Sequence, residues 1–245
     1  MKLVGITRVR NEEKLIQNTL NHVAGLVDEI YVYDDCSEDH TPIVCEQHPA
    51  VKKVIKGTKW ADTTHGRNIA EGRLRQIVYE EAKDNGADWV YCFDADEFAD
   101  FRLVDRKVDF SLYDSIALRL FDFYITQEDI EWEYFNRRWI GPEYRDIPML
   151  FKVRPELRFT QRAPRNIGRC KHIGGYVKHY GKAMSVEQWE KDCEYYSSIR
   201  WKDLNPVLQK RWEDRKGKAV HTRSDFGREL ITWQEKENKS KIVKI

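Results

Sequence analysis

The first hundred residues alternate between short apolar runs and longer segments with helical periodicity. The short runs predict strands at Leu3 to Val9, Glu29 to Tyr33, Val51 to Ile55 and Trp89 to Phe93. Between them, residues 12–23 and 69–82 repeat apolar side chains at helical spacing. This β-α-β order predicts an α/β fold with a mainly parallel sheet covered by helices. Right-handed crossovers place the carboxyl ends of such strands on one edge, where ligands bind.

The second half of the chain has a mixed pattern. Strand-like runs occur at Ser115 to Phe121, Met149 to Val153 and Tyr176 to Tyr180, and a helical pattern from Glu187 to Trp201 follows Ser185 as its predicted start. The chain has no internal repeat and no low-complexity linker. We therefore expect one domain over residues 1–245, with a ligand-binding half at 1–100 and a second half at 101–245.

Composition and charge narrow the class of protein. Aromatic residues make up 12% of the chain, which is typical of a folded domain. With 42 basic and 41 acidic residues the net charge is +1, so nothing favours a nucleic-acid partner. The first apolar run is too short for a signal peptide, and no segment is long enough to span a membrane. Five scattered cysteines without a CxxC pair favour a reduced, cytoplasmic protein.

An acidic segment, Asp94-Ala95-Asp96-Glu97, directly follows the predicted strand Trp89 to Phe93. Hard divalent cations prefer carboxylate oxygens, and a metal here would bridge two phosphates and neutralise charge on a leaving group. The alternative is an ordinary acidic turn, since Asp is common in turns. The position after a buried strand favours the metal site.

Two further polar segments follow predicted strands. Asp34-Asp35-Cys36-Ser37-Glu38-Asp39-His40-Thr41 offers carboxylates to a base or a ribose, or else simply caps the next helix. Arg8-Val9-Arg10-Asn11-Glu12-Glu13 offers a cradle for a nucleobase, or a helix start with Asn11 as its cap. Each segment is ambiguous alone. Together they predict a nucleotide site, because all three follow strands of one sheet.

These three segments, in this order, resemble the family 2 glycosyltransferases of GT-A fold. The second segment is similar to the family pattern Asp-Asp-Gly-Ser-x-Asp-x-Thr, except that Cys36 replaces Gly. The first departs from the usual Pro-x-Tyr-Asn-Glu, with Arg8 and Arg10 at the Pro and Tyr positions. The resemblance covers residues 3–100 well and the rest loosely. It implies a Rossmann-like nucleotide-binding sheet flanked by helices, followed by a mixed acceptor-binding half with C-terminal helices.

The resemblance also implies a donor site for a UDP-, GDP- or dTDP-sugar. Its residues would be Thr7, Arg8, Val9, Arg10, Glu12, Asp35, Arg75, Asp94, Ala95 and Asp96. Of the arginines at 67, 73 and 75, Arg75 has the best spacing to face the donor, and arginine suits phosphate. A late histidine often completes the metal shell in the family. We expect His179 in that role, with His172 as its competitor, so that Asp94, Asp96 and His179 hold Mn²⁺ or Mg²⁺.

The predicted activity is metal-dependent transfer of a sugar to a hydroxyl of a glycan, lipid or protein, with inversion at the anomeric carbon or, as the alternative, with retention. Inversion needs a carboxylate as general base, and the second half offers several, with Asp122 and Asp146 best placed beside strand-like runs. Two other classes compete. A nucleotidyltransferase usually has a glycine-rich phosphate loop, and residues 9–13 contain no glycine. A non-catalytic nucleotide- or sugar-binding module is the other alternative, which the intact Asp94, Asp96 and His179 oppose.

Overall fold

The structure is a computed structural model that describes residues 1–61, 64–100, 110–198 and 206–245. Within them the β-strands are β1 (Leu3–Val9), β2 (Glu29–Asp34), β3 (Val51–Lys56), β4 (Trp89–Phe93), β5 (Glu97–Asp100), β6 (Ser115–Phe123), β7 (Trp139–Lys152), β8 (Arg158–Phe159), β9 (Pro164–Arg165), β10 (Cys170–His179), β11 (Ile231–Thr232) and β12 (Val243–Lys244). The α-helices are α1 (Ile16–Ala24), α2 (Thr41–Gln47), α3 (Thr64–Asp84), α4 (Val186–Ser197) and α5 (Pro206–Glu213).

The chain forms two compact units. The first contains Met1–Asp62, Gly66–Leu118 and Ile147–Gly175, and the second contains Thr63–His65, Arg119–Asp146 and Tyr176–Ile245. The first unit therefore contains most of the predicted ligand-binding half and, in addition, strands from later in the chain. The division of a single domain at residue 100 stays a prediction.

The first unit is built on a mainly parallel sheet. Its strand order is β3-β2-β1-β4-β7-β6-β10-β5, and each of these strands has residues in the unit. β1 is parallel to β2 and β4, and β2 is parallel to β3, whereas β7 runs antiparallel to β4. The predicted α/β class with a parallel first half is confirmed.

Apolar side chains of the sheet and of α3 form the core of the first unit. The buried cluster comprises Val4, Ile6, Tyr31, Val78, Tyr79, Ala82, Ala87, Val90, Cys92, Phe151, Leu157 and Phe159. All five residues of β4 are buried, as expected for a strand with neighbours on both sides. The core thus fixes β4, and with it the acidic segment that follows.

The early strands match the prediction to within one residue, but the first helix does not. It begins at Ile16 and not at Glu12. Asn11 has a left-handed φ of 55°, and the Glu12 amide donates to Thr41 Oγ1 at 2.7 Å. Residues 11–13 are therefore tied to the loop after β2 and do not continue into a helix.

The second unit contains the helical pair α4 and α5. Ser185 caps α4 as predicted, because its Oγ accepts a hydrogen bond from the Gln188 amide at 3.0 Å. Trp189, Cys193 and Ala219 form a small buried cluster here, with Trp212 packed against it. The helix ends at Ser197, and its predicted end at Trp201 lies outside the described residues.

A membrane-spanning segment was not expected. Among the described residues, every helix is too short or too polar to traverse a bilayer.

Candidate active site

The carboxyl ends of β2, β1 and β4 lie side by side in the first unit. Val9 pairs with Asp34, and Thr7 pairs with Phe93. Because these strands are parallel neighbours, the loops that follow them leave from the same edge of the sheet. The structure therefore brings together the three polar segments that the sequence singled out.

Asp35, directly after β2, is a buried carboxylate held by two arginines. Its Oδ2 accepts hydrogen bonds from Arg8 Nε at 2.9 Å and from Arg67 Nη1 at 2.7 Å. Burial raises the pKa of Asp35, and the positive charge of Arg8 opposes that shift. A base or ribose that binds through this oxygen must share it with a guanidinium or replace one.

The backbone conformation at Cys36 shows why the family pattern has a glycine at this position. Its φ is 60°, in the left-handed region where a side chain costs about 1–2 kcal/mol. The Arg10 guanidinium donates to the Cys36 carbonyl and, at 3.0 Å, to the Asp35 carbonyl. Arg10 thus stabilises the turn that Cys36 strains.

Glu71, on α3, links the first polar segment to the third. Its Oε2 accepts from Arg8 Nη1 at 2.6 Å, and its Oε1 accepts from Arg75 Nε at 2.6 Å. Arg8 also binds Asp35, and Arg75 donates through Nη2 to Asp94. One side chain therefore joins the carboxylates that follow β2 and β4.

Asp94 is held by two arginines, each on a different oxygen. Arg75 donates to Oδ1, and Arg162 Nε lies 2.8 Å from Oδ2. Burial acts to lower the pKa of Arg75, but the charge of Asp94 leads the effects that raise it well above its usual value. Arg162 also pairs with the buried Glu97. Both arginines are therefore firmly charged.

The contacts above form one continuous set, which we term the ion-pair network. Its carboxylates are Asp35, Glu71, Asp94 and Glu97, and its guanidinium groups belong to Arg8, Arg67, Arg75 and Arg162. Negative and positive charges are equal in number among these eight. Arginine matches both carboxylate and phosphate geometry, so such a network can exchange an internal partner for a phosphate.

The remaining predicted donor residues are placed as follows. Thr7 is buried within β1, and its Oγ1 has no hydrogen-bond partner among the described residues. Val9 ends β1, and Glu12 lies in the loop before α1. The Ala95 carbonyl accepts the Thr19 hydroxyl, so the turn after β4 is fixed on α1. Asp96 is half-buried in that turn.

The predicted metal ligands Asp94, Asp96 and His179 stay a prediction. Both oxygens of Asp94 carry guanidinium partners, so a cation would have to displace one of them. Within the described ranges, no three His, Cys, Asp or Glu side chains are grouped so that they could hold a metal ion. The carboxylates are of the chemical type that divalent cations prefer, and a metal bound here requires a guanidinium group to leave Asp94.

His179 lies in the second unit, where it is paired with Asp122. Its Nδ1 is 2.6 Å from Asp122 Oδ1, and Lys182 and Arg145 also bind the same carboxylate. Burial alone would raise the pKa of Asp122, yet His179 leads the effects that lower it far below its usual value. A carboxylate so stabilised in its charged form accepts a proton poorly.

Asp146, the other predicted base, is also paired. Arg119 Nε lies 3.4 Å from Oδ1, and Lys244 Nζ lies 2.6 Å from Oδ2. Both predicted bases are therefore paired with cations in the second unit.

The sequence prediction missed Glu71, and it named Arg162 only among several basic residues that could meet a charged acceptor or the donor phosphates. Glu71 lies one helical turn before Arg75, and this i, i+4 spacing was a signal that could have found it. The pairing of Arg162 with Glu97 gave no local signal, because the two residues are 65 positions apart in the chain. Arg73 is exposed on α3, away from these contacts, whereas Arg67 and Arg75 both join the network.

Most of the chain matches the sequence profile of a known protein family. The sequence profile described as "Glycosyl transferase family 2" matches residues 6–165. The chain belongs to glycosyl transferase family 2. This confirms the family predicted from the three polar segments, and it agrees with the GT-A fold that they imply. The matched range contains the entire ion-pair network.

Two curated proteins match part of the chain at low identity. It is 28% identical over 153 residues to the uncharacterized proteins Rv3786c of Mycobacterium tuberculosis and Mb3815c of Mycobacterium bovis. The match covers 60% of this chain and 33% of each relative, so the chain spans about a third of the length of these curated relatives.

Solved structures show a weak likeness. The crystal structure of S. aureus TarS 1-349 is 16% identical, with a TM-score of 0.42, over 86% of this chain and 69% of TarS. Glucosyl-3-phosphoglycerate synthase from Mycobacterium tuberculosis, in complex with Mn²⁺, UDP and glucosyl-3-phosphoglycerate, is 18% identical with a TM-score of 0.31. That match covers 54% of this chain and 47% of the synthase.

Proposed function

We propose that this family 2 domain transfers a sugar from a nucleoside diphosphate sugar to a hydroxyl acceptor. In that reaction the bond from the anomeric carbon to the phosphate oxygen breaks, and a bond from this carbon to the acceptor oxygen forms. The nucleoside diphosphate leaves, and the acceptor proton passes to a base. The observation that carries the proposal is the ion-pair network at the carboxyl ends of three parallel strands.

The network supports donor binding through its arginines. Arg75 and Arg162 are charged, and both contact Asp94 at the end of β4, where a diphosphate would bind in a sheet of this kind. Asp35, after the neighbouring strand, offers an acceptor for a base N–H or a ribose hydroxyl. These residues would bind and orient the donor.

We further propose that a divalent cation, Mn²⁺ or Mg²⁺, accompanies the donor. The support is charge balance. The eight network side chains carry equal numbers of opposite charges, so they leave the negative charge of a diphosphate uncompensated. Asp94 and Asp96 are the carboxylates that we expect to contact the cation.

The reaction is proposed to invert the anomeric centre, with a carboxylate as the base. Asp122 is held in its charged form by His179, Lys182 and Arg145. Its lowered pKa suits a residue that orients His179 better than one that removes a proton. Asp146 remains the second candidate for the base.

A thermal-shift panel of UDP-, GDP- and dTDP-sugars, each with and without Mn²⁺, tests the donor. A ligand at a hundred times its Kd stabilises the native state by about 2.7 kcal/mol, which raises Tm by several degrees in a chain of this size. We expect a shift with one nucleotide, and only with Mn²⁺ present. Release of nucleoside diphosphate from that donor then measures turnover.

Two variants separate the metal proposal from the donor proposal. In Asp96→Asn the Mn²⁺-dependent part of the shift should disappear, because one ligand charge is lost at nearly constant volume. Asp84→Asn, at the end of α3, should behave as wild type. If Asp96→Asn keeps the full Mn²⁺ effect, the metal assignment is wrong. If no nucleotide shifts Tm in any protein, the donor proposal is wrong.

A further inference from the structure

The indole ring of Trp60 lies between two guanidinium groups. Arg10 Cζ is 3.6 Å from the ring centroid, and Arg67 Cζ is 3.5 Å from it. Two guanidinium groups at this height over one centroid would overlap if they shared a face of the ring. The ring is therefore sandwiched, and we term this arrangement the Arg10–Trp60–Arg67 stack.

Both arginines are anchored by groups other than Trp60. Arg10 donates to the Asp35 carbonyl at 3.0 Å and to Glu38 Oε1 at 2.8 Å. Arg67 donates to Asp35 Oδ2 at 2.7 Å. Only 16% of the Arg10 side chain and 12% of the Arg67 side chain are exposed. The two guanidinium planes therefore keep their spacing when the ring between them is removed.

Trp60 is held differently. It lies in the loop after β3, a half-buried position. The interactions that the structure describes for its ring are the two stacking contacts. Stacking of this kind is worth about 0.5–1 kcal/mol at exposed sites, and although it is strongest with Trp it occurs with other aromatic rings as well. Another planar ring can take the same place.

We propose that Arg10 and Arg67 form a two-sided stacking slot for the nucleobase of the donor, and that Trp60 fills this slot until the base arrives. A nucleobase has the flat π face that stacks on guanidinium groups. Asp35 lies directly beside the slot, since it binds Arg67 through its carboxylate and Arg10 through its carbonyl. The inference rests on the proposed function, because it places the base of the same donor.

A filled slot has a measurable consequence. When only a fraction of the protein has the slot open, the apparent Kd is the intrinsic Kd divided by that fraction. Removal of Trp60 should therefore tighten nucleotide binding. A tryptophan that itself contacts the base would give the opposite result.

The experiment is calorimetric titration of the full chain with UDP, GDP and dTDP. Trp60→Ala should bind the preferred nucleotide about tenfold more tightly than wild type. Trp132→Ala removes another tryptophan that lies near an arginine, Arg138, and should leave Kd unchanged. Circular dichroism and Tm check the fold of each variant. If Trp60→Ala does not fold, Trp60→Leu replaces it, because leucine also leaves the guanidinium faces without an aromatic partner.

Tryptophan fluorescence gives an independent measurement. Nucleotide binding should change the emission of wild type as Trp60 leaves the stack, and this component should be absent in Trp60→Ala. Unchanged or weaker binding by Trp60→Ala, with normal binding by wild type, overturns the slot and leaves the proposed function standing. Absence of nucleotide binding by both proteins contradicts the proposed function and the slot together.

Discussion

The two units of the chain use charged side chains in different ways. In the first, carboxylates and arginines alternate in the ion-pair network, and Glu71 and Asp94 each bind two arginines. In the second, Lys182 joins two aspartates, Asp122 and Asp225, at 3.2 and 2.9 Å. Arg145 also binds Asp122, while Arg211 and Arg215 bind Asp225. The second cluster therefore has more cations than carboxylates, whereas the first is balanced.

This difference in charge balance determines how each cluster can bind an anion. In the balanced network the arginines are largely buried, so an incoming phosphate must replace a carboxylate or bring a cation with it. In the second cluster the surplus charge lies on exposed side chains, since 41% of the Arg145 side chain and 53% of the Arg211 side chain are accessible. An anion can approach these arginines without displacing Asp122 or Asp225.

The largest effect is expected from Arg75→Ala, which breaks the balance of the first cluster. Arg75 is 2% exposed and donates to Glu71, Cys92 and Asp94. Removal of one partner from a buried ion pair costs about 3–5 kcal/mol, because the remaining charge is left uncompensated. Urea unfolding should show a loss of this size.

Two variants control this measurement. Arg73→Ala, on the exposed face of the same helix, should change the free energy of unfolding by less than about 0.5 kcal/mol. Arg75→Lys should recover only part of the loss, because an ammonium group cannot reproduce the planar fork of the guanidinium. Equal stability of Arg75→Ala and Arg73→Ala would show that the network does not stabilise the first unit.

A second prediction concerns the pH dependence of the other cluster. The pKa of Asp122 is lowered in the folded state, so its unfolded form binds more protons at acid pH. Its contribution to stability is present above the unfolded pKa of about 3.9 and is lost as pH falls below that value. Asp122→Asn should therefore be about 2 kcal/mol less stable than wild type at pH 7.

The check is chemical unfolding at several values of pH. The difference between wild type and Asp122→Asn should shrink as pH falls from about 5 to 2, since wild type loses the contribution that the variant lacks. A difference that stays constant over this range would mean that Asp122 is not stabilised in its charged form.

Much of the first unit could be predicted from the sequence, because its signals are local. Buried strands such as Trp89–Phe93 are continuous apolar runs, and the polar segments stand where those runs end. The start of α1 was wrong because hydrogen bonds from the loop after β2 hold residues 11–13. Such contacts join residues 26–29 positions apart, so no local pattern records them.

The same reasoning applies to the candidate site. The aspartates and the donor-site residues Arg8 and Arg75 could be found from their motifs, but the ion pairs between them could not. Arg162 reaches Asp94 and Glu97 from a distant part of the chain, and its contacts change the expected environment of the predicted metal ligand. Asp122 shows the same limit, since its pairing with His179 and Lys182 depends on tertiary structure. Local sequence identified the carboxylates and left their charge environment undetermined.

The smallest effect on stability is expected from Glu71→Gln, which removes the charge that links Arg8 to Arg75. The variant keeps the shape of the side chain and removes its charge, while Arg8 retains Asp35 and Arg75 retains Asp94. Hydrogen bonds to charged groups contribute about 1.5–3 kcal/mol each, and the surviving partners offset part of this. We expect a loss of roughly 1–2 kcal/mol in urea unfolding. Glu80→Gln, on the same helix and paired with Lys83, should lose no more than about 0.5 kcal/mol.

Nucleotide binding then separates a role in stability from a role in coupling the two motifs. If Glu71 positions Arg8 and Arg75 for one donor, Glu71→Gln should weaken nucleoside diphosphate binding by more than it weakens nucleoside binding. The reason is that Asp35, on the nucleoside side, keeps Arg8 and Arg67. Arg75, on the diphosphate side, loses its charged partner Glu71. Equal weakening of both ligands would mean that Glu71 acts through overall stability. In that case the ion-pair network would stabilise the first unit, and of its residues only the aspartates would stay candidates for donor binding.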